Sequence, residues 1–375
     1  MTEADAASGS ALDVNGRTLG FLHVGRPESG VRRYGRILAE EALSRPDLRV
    51  IEADAGLLEG RRGGLAARGR ALTTADVVHM QWNRRSWGSG VRAAYRYLDF
   101  RRSCDRPLVV TLHDVFDRHG LRRRWLEPEA FNLRLVGRTA EHVVVHSQVE
   151  VERLHGLVSS ERISVVPHFV ERRDIAVGHD EARARLGIEG RRVVTLLGFI
   201  YGRKGHKVLL EAIPRLDPDV LVVFAGGPIA DREKTLRVVQ ERATSLRLGD
   251  RLRITGWLSE DELETWVAAT DLAILPFRDL SASGSLSTWI AAARPILASD
   301  LPGFREYNAR VPGALRIAAS LEPRELARTI TSQLASSLPE IDAAVAALRD
   351  DLSVSRSLDR YLDVGRAASA SRTRR

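Results

Sequence analysis

Ten short runs of apolar, largely β-branched residues recur through the sequence, each followed by a stretch with helical spacing. In the first half they are TLGFLHV (18–24), ADVVHM (75–80), PLVVTLH (107–113), HVVVHS (142–147) and ISVVP (163–167). In the second they are RVVTLLG (192–198), VLVVFAG (220–226), LRITG (252–256), DLAILP (271–276) and PILAS (295–299). Strands that are apolar without alternation are buried on both faces, which requires a parallel sheet covered by helices. Two such series, separated by the charged segment VERRDIAVGHDEARARLG (170–187), give an α/β chain of two Rossmann-like, doubly wound domains. A length of 375 residues suits two cores better than one. The expected layout is a disordered N-terminus (1–16), a first domain (17–175), a second (176–340), a C-terminal helix (341–365) and a frayed tail (366–375).

Composition excludes several classes. At 44% hydrophobic and 28% charged, the chain is that of an ordinary globular protein. No apolar run approaches the roughly 18 residues that span a bilayer. The opening MTEADAASGSALDVNG contains acids and no apolar core, so it does not read as a secretory signal. Cys104 is the single cysteine, which excludes an intramolecular disulfide and argues against a cysteine zinc site. These features point to the cytoplasm. The net charge of +8 comes almost wholly from arginine, the lysines being Lys204, Lys207 and Lys234. With no zinc-finger spacing and no aromatic-rich RNP string, no nucleic-acid partner is expected.

In open α/β sheets ligands bind beyond the carboxyl ends of the strands, so a polar residue just after a strand carries functional weight. Asp217-Pro218-Asp219 fails that test: the D-x-D string precedes its strand, and no metal site is assigned to it. GFIYGRKGHK (198–207) passes. Its glycines allow close approach of backbone to ligand, and Arg203 and Lys204 add cations suited to phosphate. It contains neither a Walker A loop nor a GxGxxG fingerprint. Gly227 follows the next strand, and TGWLSEDEL (255–263) holds a capping box at Ser259 and Glu262, with Trp257 and Leu258 ahead of it. In the first domain His79 and Gln81, His113 and Asp114, and His146 and Ser147 close three successive strands, while Gly30 lies between the first strand and its helix.

With these pieces in order the chain resembles the retaining glycosyltransferases of family 4, which have the GT-B architecture. The match covers most of residues 18–340 and is carried by LLGFIYGRKGHKVLLEAI, VVFAGGP, LRITGWLSEDELETWVAATDLAILPF and AAARPILASDLPGFREY, in the family's order and spacing. The resemblance implies two Rossmann-like domains facing a central cleft, with the C-terminal helix crossing back to the first. It implies a nucleotide-sugar donor such as a UDP- or GDP-hexose, held mainly by the second domain, and a hydroxyl acceptor (glycan, lipid-linked or small molecule) on the first. Transfer with retention, needing neither metal nor cofactor, is also implied. Arg203 and Lys204 would neutralise the leaving diphosphate. His113 would lie near the acceptor and the reacting sugar, with His79, Gln81, Asp114 and Ser147 as acceptor-side candidates. Gly30 would approach the donor phosphates, Gly227 would sit close to the donor, and Trp257 and Leu258 would offer backbone groups to the base.

DLSASGSLST (279–288) departs from the pattern. The family usually places two glutamates there, and alignment on ARPILAS puts those positions at Leu280 and Thr288. Asp279 is expected to serve the sugar instead, Thr288 the ribose, and Ser283, Gly284 and Ser285 the diphosphate. Phe199, a donor-side candidate, stands where many members have arginine. A second reading is a catalytically inactive GT-B partner that binds nucleotide or protein, motivated by the missing glutamates. Segments 83–102 and 120–128 mix arginines with Trp87, Tyr95, Tyr97, Phe100 and Trp125, which leaves peripheral contact with the inner face of a membrane open. Oligomeric state is not readable.

Overall fold

The structure is a computed structural model and describes residues 17–27, 29–56, 64–88, 90–113, 115, 128–228, 233–279, 283–336 and 340–373. The chain divides into two compact units: one takes the residues up to His146, Glu150–Val166 and those from Leu358 onward, the other Ser147–Val149 and Pro167–Ser357. The expected boundary at 175/176 lies too far along, because the chain from Pro167 is already tied to the second unit. Val170 N donates to Leu352 O, and Ala176 N donates to the Glu264 carboxylate.

The first unit is built on β1 (Arg17–Val24), β2 (Leu48–Gly56), β3 (Val77–Trp82), β4 (Leu108–Leu112), β5 (His142–Val145) and β6 (Ile163–Val165). They form one parallel sheet in the order β2-β1-β3-β4-β5-β6. The second has β7 (Arg192–Leu197), β8 (Val220–Ala225), β9 (Leu252–Ile254), β10 (Leu272–Leu275), β11 (Ile296–Ser299) and β12 (Arg316–Ala318). Its parallel order β12-β11-β10-β7-β8-β9 is that of a dinucleotide-binding sheet, with the strand order reversing between β7 and β10. Central strands such as β4, β8 and β10 are buried at every residue, which is why they read as unbroken apolar runs.

The two strands that the apolar-run reading passes over are edge strands. β2, LRVIEADAG, mixes exposed and covered positions, and β12 is three residues long. Residues 341–365 are not one helix. They fall in the helices Ala343–Asp351 and Val354–Thr373, so the expected tail from 366 is helical to Thr373. Within the first unit, the Tyr361 hydroxyl meets Thr111 Oγ1 at 2.9 Å and the Tyr34 hydroxyl at 3.3 Å. Burial pushes the Tyr361 pKa up to about 12, so the phenol stays protonated and able to donate.

Asp217 and Asp219 both bind Arg192, at 2.7 and 2.6 Å, at the amino end of β8. Trp87, Tyr97 and Phe100 are core residues, whereas Tyr95 and Val91 are exposed. The arginine–aromatic mixture of 83–102 is therefore largely a helix packing its rings inward; Trp125 lies outside the described residues. Among the described residues no helix is long and apolar enough to cross a membrane.

Candidate functional site

The carboxyl ends of β7, β8, β9 and β10 converge on a cavity of about 350 Å³ in the second unit, at the point where the strand order reverses. Phe199, Tyr201, Lys204, Gly227, Trp257 and Ser285 are among its lining residues. Glycine is required where the backbones crowd. Gly205 has φ +81°, and a Cβ there would lie 2.0 Å from the Pro276 carbonyl oxygen. Gly226, at φ +150°, would place one 2.4 Å from Gly198 O.

Lys204 is the charged centre of this cavity. Its residue is 8% exposed, and its Nζ donates to Ser285 Oγ at 2.6 Å and lies 4.0 Å above the Phe277 ring. No carboxylate among the described residues lies within ion-pair distance of it, and burial pushes its pKa down to about 8. Beside it His206 is buried against Phe224, and desolvation, with a smaller contribution from Lys204, lowers its pKa to about 4. That ring is neutral at physiological pH, leaving the local positive charge to Lys204 and Arg203. Arg203 is far more exposed and donates to Asp279 Oδ2 at 2.7 Å.

Ser283 starts the helix Gly284–Ala291 as its N-cap, accepting from Leu286 N at 3.3 Å, and its hydroxyl meets that of Ser285 at 3.1 Å. The first helical amides, Gly284 and Ser285 included, lack intrahelical acceptors and border the cavity. Across it Phe199 and Trp257 pack edge-to-face at 5.1 Å, 45% and 64% exposed. Gly227 lies beneath the indole: a Cβ there would come within 2.7 Å of Nε1. The expected capping box at Ser259 and Glu262 is formed, which holds the Trp257–Leu258 turn at the wall. The cavity thus combines a desolvated cation and helix-start amides, suited to a diphosphate, with an aromatic ledge suited to a planar ring.

In the first unit His113 follows β4 directly, with its Nε2 2.8 Å from Gln81 Oε1 and its Nδ1 3.3 Å from His146 Nε2. Tyr34 makes edge-to-face contacts with both rings, at centroid distances of 5.0 and 5.4 Å. His79 does not join them. β3 runs on to Trp82, so His79 is internal to the strand, 2% exposed and stacked on Phe21 at 5.4 Å. Burial lowers its pKa to about 3, which makes it a neutral core residue and not an acceptor contact.

Other expected residues are placed as follows. Thr288, one turn further along the helix, turns its hydroxyl back to Gly284 O at 3.0 Å and is not among the lining residues. Gly30 opens the helix Gly30–Leu43 at the carboxyl end of β1, and a Cβ there would meet nothing within 4 Å. Ser147 precedes the helix Gln148–Leu154. Asp114 and Leu280 lie outside the described residues. Tyr34, Tyr201 and Phe277 were not singled out from sequence. Phe277 and Tyr201 follow strands within a few residues, the signal that would have found them; Tyr34 carries none, being an ordinary buried helix position.

Comparison with known proteins agrees with this geometry. Residues 191–336 match the glycosyl transferases group 1 family and residues 32–173 match glycosyltransferase family 4. An alpha-D-kanosaminyltransferase of Streptomyces kanamyceticus is 28% identical over 239 residues, covering 58% of each chain. A D-inositol 3-phosphate glycosyltransferase of Catenulispora acidiphila is 27% identical over 267 residues, 66% of this chain and 61% of that one. The chain therefore spans about three fifths of the length of these curated relatives. The crystal structure of Anabaena HepE in complex with UDP superposes with a TM-score of 0.67 at 17% identity, covering 92% of this chain and 98% of that one, a likeness of fold. With family matches over both halves and this fold, the chain belongs to the family 4, group 1 glycosyltransferases of GT-B architecture.

Proposed function

We propose that the protein transfers a sugar from a nucleoside-diphosphate sugar to an acceptor hydroxyl, with retention of anomeric configuration and without a metal ion. The observation that carries this reading is Lys204, a buried ammonium with a hydroxyl and a ring face for neighbours and no carboxylate among the described residues. A cation desolvated in this way is stabilised by an anion arriving in the cavity. It then opposes the charge that develops on the diphosphate as the anomeric C–O bond breaks. Ser283, Ser285 and the helix-start amides supply donors to the same group, and Phe199 with Trp257 offers the ledge for the base. Asp279 holds Arg203 at the lip, where it can exchange that carboxylate for phosphate oxygen.

Metal independence is supported by the charge already present, and by the D-x-D carboxylates being engaged by Arg192 at the opposite edge of the sheet. Retention rests on the family. The name of the Catenulispora relative puts phosphorylated cyclitols first in an acceptor panel. The test is a thermal-shift screen with UDP-, GDP-, ADP- and dTDP-sugars. One base should raise the melting temperature in wild type and not in Lys204→Ala; no response to any nucleotide would remove the reading.

A further inference from the structure

His113 follows β4 with both ring nitrogens engaged, and the proton positions follow from the last acceptor of the chain. His146 Nδ1 lies 2.9 Å from Val166 O. A carbonyl oxygen accepts and cannot donate, so His146 Nδ1 carries the hydrogen. The His146 ring is enclosed by Tyr34 and His113, and desolvation holds its pKa near 4, so the ring is neutral at pH 7. Its Nε2 is then an acceptor, filled by His113 Nδ1–H at 3.3 Å. In its neutral form His113 keeps a lone pair at Nε2, 2.8 Å from the Gln81 amide. A lone pair repels the amide oxygen there, so Gln81 turns its amide and donates from nitrogen. The same rotation gives an acceptor to the Gln81 nitrogen, which otherwise is buried without a partner.

We infer that His146 is a positioning residue that fixes His113 as the Nδ1–H tautomer, so that its Nε2 receives a hydrogen bond from a substrate hydroxyl in place of Gln81. The identity of that hydroxyl, on sugar or acceptor, rests on the transferase reading; the tautomer does not. Glu150 and Tyr34 also face this cluster. Glu150 accepts from the His146 backbone N–H at 2.8 Å, and the Tyr34 hydroxyl meets that of Tyr361 at 3.3 Å. His146 Nε2 is the partner that the structure gives to His113 Nδ1.

The test is a long-range proton–nitrogen NMR correlation on 15N-histidine protein at neutral pH, with His113→Gln assigning the resonances. His113 should show a protonated Nδ1 and a bare Nε2 in wild type. His146→Gln, which keeps an acceptor oxygen, should preserve that state, and His146→Leu should release His113 to the Nε2–H tautomer. In transfer assays His146→Leu should lower kcat about tenfold with the donor KM unchanged, the effect expected for a residue that orients a histidine, and His146→Gln should recover most of it. An Nε2–H tautomer at His113 in wild type overturns the inference whatever the assay gives. Absence of any transfer by wild type with the Nδ1–H tautomer present would instead remove the enzymatic reading and leave the positioning role standing.

Discussion

Replacing Lys204 by methionine separates what the ammonium costs the fold from what it does for a ligand. Burial holds its pKa at about 8 instead of 10.5, a difference that corresponds to about 3 kcal/mol of destabilisation while both states are protonated. Losing the hydrogen bond to Ser285 returns about 1 kcal/mol, and methionine fills a similar volume over Phe277. The variant should therefore be more stable at pH 7 by about 2 kcal/mol, or about 4–8 °C in Tm for a unit of this size. The sign with pH follows from the depressed native pKa. Between about 8 and 10.5 the unfolded chain keeps a proton that the native lysine has released, so wild-type stability rises through that window. Methionine has no such rise, and its advantage disappears above it. Calorimetry at about pH 7 and pH 9.5 reads both effects. A nucleoside diphosphate at a hundred times its Kd should add about 2.7 kcal/mol to wild type and nothing measurable to the variant. A variant that melts below wild type at pH 7, or that keeps the ligand-induced rise, refutes the reasoning.

Three further outcomes follow from the same geometry. Gly205→Ala puts a Cβ into the Pro276 carbonyl at a positive φ, so denaturant unfolding should show a loss of about 3 kcal/mol or more. Trp257→Ala should leave stability within about 0.5 kcal/mol while weakening nucleotide binding by about 1–3 kcal/mol, read by calorimetry. Unchanged affinity would mean that the base stacks elsewhere. Tyr361→Phe removes the hydroxyl shared by Thr111 and Tyr34 and should cost about 1–3 kcal/mol in unfolding, with no change in nucleotide affinity, since all three residues belong to the first unit.

What was legible in the sequence was whatever burial on two faces imposes locally. β4, β7, β8 and β10 are apolar at almost every position, and Arg203, Lys204, Ser283 and Ser285 follow such strands closely enough to be placed by counting. Edge strands β2 and β12 carry a mixed pattern because one side faces solvent or an open edge, so no continuous run marks them. His79 was misplaced for the related reason that a strand's last residue is its least certain feature: two more residues in β3 move the ring from the edge to the core. For Thr288, alignment fixes position along the helix Gly284–Ala291 but not the direction in which a short hydroxyl bonds, here back to Gly284 O. The Tyr34–Tyr361–Thr111 contact joins residues 327 and 250 positions apart, which no local pattern encodes.

The central claim is that Lys204 in the cavity of the second unit drives departure of a nucleoside diphosphate from a sugar donor. The most direct measurement is release of nucleoside diphosphate by wild type and Lys204→Met, each shown folded by calorimetry, from UDP-, GDP-, ADP- and dTDP-sugars with a panel of hydroxyl acceptors. Acceptor-dependent release from donors of one base by wild type, and none by the variant, is the expected result. Release by the variant at the wild-type rate, or none by wild type from any donor, would contradict the claim.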